Sequence, residues 1–90
     1  MLVTVGICKL SERRIRIEVQ RPQHTAQANK SFASEKAARR VLSNFGISDG
    51  QIMDFFKLLP NLEENVVLNF PPLDVPQHTL VAEGFELEID

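Results

Sequence analysis

The sequence predicts an α+β fold with the element order ββ-αα-ββ, in which a helical hairpin packs on one face of a mainly antiparallel four-stranded sheet. Three observations lead to this prediction. Apolar and polar residues alternate as in strands near both ends of the chain, apolar residues have helical spacing in the middle, and serines stand where they can cap two helices there.

Length and composition are those of an ordinary globular protein. The chain has 90 residues, 43% of them hydrophobic and 24% charged, so we expect a single domain over 1–90 and exclude intrinsic disorder. The lone Cys8 cannot form an internal disulfide. The apolar start lacks a preceding basic residue, and no segment has the ~20 apolar residues that a membrane span needs. We therefore expect a cytoplasmic protein that does not enter a membrane.

A β-hairpin is predicted at the start of the chain. In residues 2–10, Val3, Val5 and Ile7 share one face and Gly6 and Cys8 fall on the other, so we expect both faces to be at least partly covered. Residues 13–20 alternate apolar and polar side chains, and a polar turn at 11–12 separates the two strands. The apolar face of the second strand carries Ile15, Ile17 and Val19, and its other face is charged. The polar residues 21–31 then show no periodicity, which predicts a loop that leads from the sheet to the helices.

Two short helices joined by a tight turn are predicted over 34–45 and 48–59. Ser34 can cap the first helix, and Gly46 can end it in the left-handed conformation. Ser48 and Gln51 form a capping box for the second helix. The apolar residues with helical spacing, which we expect to be buried, are Ala38, Val41, Leu42 and Phe45 in the first helix and Ile52, Phe55, Phe56 and Leu59 in the second.

Two further strands are predicted in the last third of the chain. Residues 66–70 are apolar and are followed by Pro71-Pro72, which cannot donate to a sheet ladder. Residues 79–90 predict a final strand with a bend at Gly84. One face of this final strand would carry Val81, Phe85, Leu87 and Ile89, and the other Glu86, Glu88 and Asp90.

The charges are divided unevenly between the two halves. Residues 1–45 have nine basic and three acidic residues, a net charge of +6, and residues 46–90 have one basic and nine acidic residues, a net charge of −8. The favoured interpretation is that folding pairs the two halves, with Arg14 and Arg16 lying opposite Glu86, Glu88 or Asp90 on neighbouring strands. The alternative is an anion-binding or nucleic-acid-binding face, whose members would be Arg13, Arg14, Arg16, Arg21, Lys30, Arg39 and Arg40.

The stretch 41–52 resembles the core of the helix-turn-helix pattern, with Gly46 at its turn. Leu42 stands where that pattern usually has a small residue, and the second helix carries Asp49 and Asp54 against Lys57 alone. Because DNA affinity depends on basic side chains, a helical corner that serves the core is favoured over DNA recognition.

No motif in the sequence indicates catalysis. Cys8 lies in an apolar strand, and the repeated Pro-Gln-His-Thr segments supply His24 and His78 without further metal ligands nearby in sequence. Met53 points away from the buried face of its helix, as interface residues often do. We therefore expect a non-catalytic interaction module without cofactor or metal, which self-associates through sheet edges or charge-complementary faces. Its candidate binding residues are Arg14, Arg16, Arg21, Arg39, Arg40 and Met53, and a small enzyme without a recognisable motif is the remaining alternative.

Overall fold

The computed structural model describes residues 1–87 and has an α+β fold, as the sequence predicts. Within these residues, five strands and three helices follow one another in the order βββ-αα-ββ-α, with a 3₁₀ turn (Leu59–Asn61) after the second helix. The elements are β1 (Leu2–Ser11), β2 (Arg14–Gln20), β3 (Gln27–Phe32), α1 (Glu35–Asn44), α2 (Asp49–Leu58), β4 (Val67–Asn69), β5 (Leu73–Asp74) and α3 (Gln77–Ala82).

The sheet is antiparallel, with the strand order β3-β2-β1-β4, and β5 pairs with the start of β1. Side chains alternate between its two faces. The inner face carries most of the buried side chains of β1 and β2, and α1 and α2 pack against it to form the core. The outer face carries Arg16 and Glu18 on β2 and their register partners Ser31 and Asn29 on β3.

The predicted hairpin is confirmed. Val3, Val5 and Ile7 are buried on the inner face, and β2 pairs with β1 in a register that sets Ile7 opposite Ile17. Gly6 and Cys8 on the outer face are also buried, as expected from the apolar residues on both sides of this strand. A Cβ atom on Gly6 would lie 2.5 Å from Asn69 Oδ1 and 2.8 Å from Val67 Cγ1, so the close approach of β4 requires glycine there.

Both predicted helices are present, with the predicted caps. The Ser34 hydroxyl accepts a hydrogen bond from the Ala37 N–H at 3.1 Å, and the Ser48 hydroxyl accepts one from the Gln51 N–H at 3.3 Å. Gly46 has φ +98°, and the N–H of Ile47 donates to the Leu42 carbonyl at 3.2 Å. These are the features of a Schellman ending, which fixes the turn between the helices.

The prediction of a loop over residues 21–31 is wrong for its second half. Residues 27–32 form β3, which pairs with β2 in a regular antiparallel register. β3 lies at the edge of the sheet, where its outer-face side chains are exposed, and only Phe32 is buried. An edge strand of this kind needs no apolar alternation, and this is why its sequence has no strand-like pattern.

The prediction of a final strand over 79–90 is wrong for the residues that the structure describes. Residues 77–82 form α3, and Gly84 follows with φ +88°. β2 already has β1 and β3 as neighbours, so Arg14 and Arg16 cannot lie opposite a last strand. Glu86 is in no strand, and Glu88, Ile89 and Asp90 lie outside the described residues.

Candidate functional site

The two arginines of β2 lie on the outer face of the sheet and have partners there. Arg16 Nη2 lies 2.6 Å from Glu18 Oε1, two residues further along the same strand. Arg14 Nη2 donates to the Ser31 hydroxyl on β3 at 2.7 Å. The charge of Arg16 is therefore compensated by an acidic residue of its own strand.

The basic residues of α1 lie on the helix side of the molecule, away from the outer face of the sheet. Arg39 pairs with Glu35 at 3.0 Å, and its guanidinium lies 5.0 Å from the centre of the Phe56 ring. Arg40 is exposed on the same helix. Because the helices cover the inner face, the structure does not bring Arg39 and Arg40 together with Arg14 and Arg16.

The remaining basic residues of the predicted anion-binding face are also dispersed. Lys30 extends under the end of α3, where its Nζ donates to the Glu83 carbonyl at 3.0 Å and lies 5.6 Å from the centre of the Phe32 ring. Arg13 is exposed in the turn between β1 and β2, and Arg21 follows β2 at the opposite end of that strand. Such dispersal gives little support to a continuous nucleic-acid surface.

Met53 is exposed on α2, as the helical spacing predicts. Its side of the helix also carries Asp54, Lys57 and Leu58, and both apolar residues have about half of their surface open, 48% for Met53 and 52% for Leu58. Phe55, by contrast, is turned inward and stacks on Phe70 with ring centres 4.1 Å apart. The charged residues Asp54 and Lys57 lie between Met53 and Leu58, so this side of α2 is not a continuous apolar patch.

The outer edge of β3 is the first candidate site that the structure adds. Within residues 1–87 no strand pairs with this edge, although β3 is six residues long and its register with β2 has no bulge. Gln27, Asn29 and Ser31 point to the outer face, and Ala28 and Lys30 to the inner face. The edge therefore presents backbone donors and acceptors beside mostly neutral side chains.

A groove at one end of the sheet is the second candidate site. It has a volume of about 580 Å³ and lies between the β1–β2 turn, the start of α1 and the end of α2. Phe56, Leu59 and Ile15 provide its apolar lining, and Lys9 and Arg13 are among its polar lining residues. The groove is thus large enough for a small organic ligand.

Cys8 is fully buried on the outer face, directly opposite Arg16 in the β1–β2 register. Its burial raises the pKa of the thiol above the ordinary value of 9.0, and the nearby Arg16 guanidinium opposes this shift. A protonated, buried thiol is a poor nucleophile.

Within residues 1–87, no group of three or more His, Cys, Asp or Glu side chains is arranged to hold a metal ion. None of the helices in this range has the length and apolar character of a membrane-spanning helix.

In comparisons with models of protein families, with curated proteins and with solved structures, no match to this chain was found.

Sequence reasoning missed both candidate sites for different reasons. The β3 edge lies within a segment that was expected to be a loop. The groove is formed by residues from three separate segments, 9–15, 33–35 and 56–60, so no local spacing marks it. One signal was available for Arg16, because residues two apart in a strand share a face and Glu18 therefore lies beside it.

Proposed function

We propose that this chain is a non-catalytic interaction module that self-associates by antiparallel pairing of the β3 edges of two copies. The observation that carries the proposal is an edge that is long, regular and unpaired within the described residues. Pairing of two such edges would join two five-stranded sheets into one continuous sheet of ten strands, with the backbone hydrogen bonds of both edges satisfied.

β3 has one of the features by which proteins usually protect an edge strand, the inward-pointing Lys30, and lacks two others. It contains no proline and no bulge. Lys30 is the charged residue of this strand, but its ammonium group is held against the Glu83 carbonyl at the end of α3. The charge is therefore directed away from the edge that a second copy would approach.

The other end of the sheet is less suited to pairing. β4 has three residues and is followed by Pro71-Pro72, and β5 has two residues. Short strands and prolines limit the number of ladder hydrogen bonds that another chain could form. Pairing of charge-complementary faces is also less favoured, because Arg16 and Arg39 already have acidic partners within the chain.

Side-chain chemistry favours one register for the pair. If the two-fold axis passes beside Asn29, the two Asn29 amides face each other and Gln27 faces Ser31 of the second copy on the outer face. On the inner face, Lys30 then faces the small Ala28 and not a second lysine. A two-fold axis beside Lys30 would instead set two lysines directly opposite each other, which destabilises a strand pair. We therefore place the axis at Asn29. Antiparallel pairing in either register keeps the helices of both copies on the same side of the sheet.

The proposal is tested by measuring molecular mass against concentration with light scattering. Six-residue edges form a small interface, so we expect association at concentrations on the order of 0.1–1 mM. Asn29→Asp would set two carboxylates opposite each other and raise the dissociation constant about fivefold, equivalent to ~1 kcal/mol, with the effect screened at high salt.

The matched control is Asn61→Asp, which adds the same charge at an exposed position after α2, far from β3 in sequence. This variant is expected to associate as the unmodified chain does. A monomeric mass at every concentration up to about 1 mM would overturn the proposal, as would equal effects of the two substitutions.

A further inference from the structure

The groove beside the β1–β2 turn has an apolar lining and a basic rim, and its construction does not depend on the β3 edge. Lys9 and Ile15 are register partners at the end of the hairpin, on the inner face of the sheet. α2 ends before it covers this part of the sheet, because Pro60 follows in a 3₁₀ turn. Lys9 and Ile15, both half-buried, line the groove at this end of the inner face.

The apolar part of the groove is formed by residues of the hydrophobic core and one residue packed against it. Phe56 and Leu59 are both buried and belong to the main core cluster, and Ile15 is half-buried and packs against that cluster. The guanidinium of Arg39 on α1 lies over the ring of Phe56 on α2, 5.0 Å from the ring centre. An apolar ligand chain entering the groove would therefore meet a preformed surface.

Two cationic side chains at the rim of the groove, Lys9 and Arg13, have N–H donors that could bind a ligand. Lys9 Nζ donates one hydrogen bond, to the Pro60 carbonyl at 3.2 Å, and an ammonium group has three donors. The Arg13 side chain makes no hydrogen bond or ion pair within residues 1–87; its backbone N–H alone bonds, to Ser11 Oγ. The Arg13 guanidinium can therefore bind a carboxylate in a bidentate manner.

Acidic residues also line the groove. The charge of the ligand that the groove favours therefore depends on which of these carboxylates are already paired. Glu35 is already paired with Arg39 at 3.0 Å. Glu12 is then the one lining carboxylate in the described chain without a cationic partner in contact, against the two cations Lys9 and Arg13. The balance favours an anion.

We propose that this groove binds a small amphipathic anion, an apolar chain that ends in one carboxylate. The chain would lie on Ile15 and on the small exposed parts of Phe56 and Leu59, and the carboxylate would bind Arg13 and Lys9. The volume of about 580 Å³ falls within the usual range for small-molecule sites, roughly 300–1,000 Å³. This proposal goes beyond self-association and can hold or fail separately from it.

The test titrates the ¹⁵N-labelled chain with octanoate, below its micellar concentration, and follows backbone amide shifts. We expect saturable shifts at 9–15 and 56–60 at millimolar or lower concentration. Arg13→Gln should weaken binding about fivefold. Arg40→Gln is the matched control, since it removes the same charge from an exposed position on α1 that does not line the groove.

Two further probes separate the contributions of charge and apolar contact. Octanol should bind more weakly than octanoate, because it lacks the carboxylate, and octylammonium should bind more weakly still. Stronger binding of octylammonium would show that Glu12 governs the site and would overturn the proposal. Absence of saturable shifts up to about 10 mM octanoate, or equal effects of Arg13→Gln and Arg40→Gln, would also overturn it.

Discussion

At the scale of single residues, alternation along β1 and β2 predicts burial well and charge partners poorly. Val3, Val5, Ile7, Ile17 and Val19 are all fully buried, as their spacing predicts. The partner of Arg16 is Glu18 on the same strand, whereas the sequence suggested an acidic residue from the end of the chain. Burial depends on local periodicity, but a charge partner depends on which strands become neighbours.

The buried thiol of Cys8 predicts a specific dependence of stability on pH. Because its pKa in the folded chain is raised, the folded state keeps the thiol protonated while the unfolded state ionises above about 9.0. This contribution to stability is present below pH 9 and decreases as the pH rises through the folded pKa. Urea unfolding at pH 7.5 and pH 10 should therefore show a larger loss of stability for the unmodified chain than for Cys8→Ala. An equal loss in both would contradict the assigned protonation.

At the scale of elements, the helical corner was predictable because its determinants are local. The capping hydrogen bonds of Ser34, Gly46 and Ser48 each join residues three positions apart. β3 and α3 were not predictable in this way. β3 buries a single large side chain, so its sequence shows no strand period. α3 buries only Leu80 of its six residues, which is too few for a helical period to stand out against the strand-like spacing of 79–90.

The helical corner also gives a matched pair of glycine substitutions. Gly46 has φ +98° and open space around its Cα, so Gly46→Ala should cost about 1 kcal/mol from backbone conformation alone. Gly50 lies in the first turn of α2, also with open space, and Gly50→Ala should stabilise by roughly 0.5 kcal/mol. Urea unfolding followed by circular dichroism measures both, and effects of the same sign would contradict this explanation.

At the scale of the whole molecule, the fold class follows from the sequence, but both candidate sites depend on tertiary arrangement. The antiparallel sheet covered by helices is confirmed. β3 has an unpaired edge within residues 1–87 because it is the end strand of the order β3-β2-β1-β4. The groove forms where the end of α2 meets the β1–β2 turn. Topology and element length, which the local pattern does not encode, therefore decide where the chain can bind.

Self-association through β3 is most directly tested by mixing two oppositely charged variants. If the two-fold axis lies at Asn29, the chains Asn29→Asp and Asn29→Lys each place like charges opposite each other and should remain largely monomeric at low salt. Mixed in equal amounts, they should form a heterodimer more readily than either chain associates alone, seen as a rise in mass by light scattering. An unchanged mass after mixing, or full self-association of each variant alone, would contradict pairing at this edge.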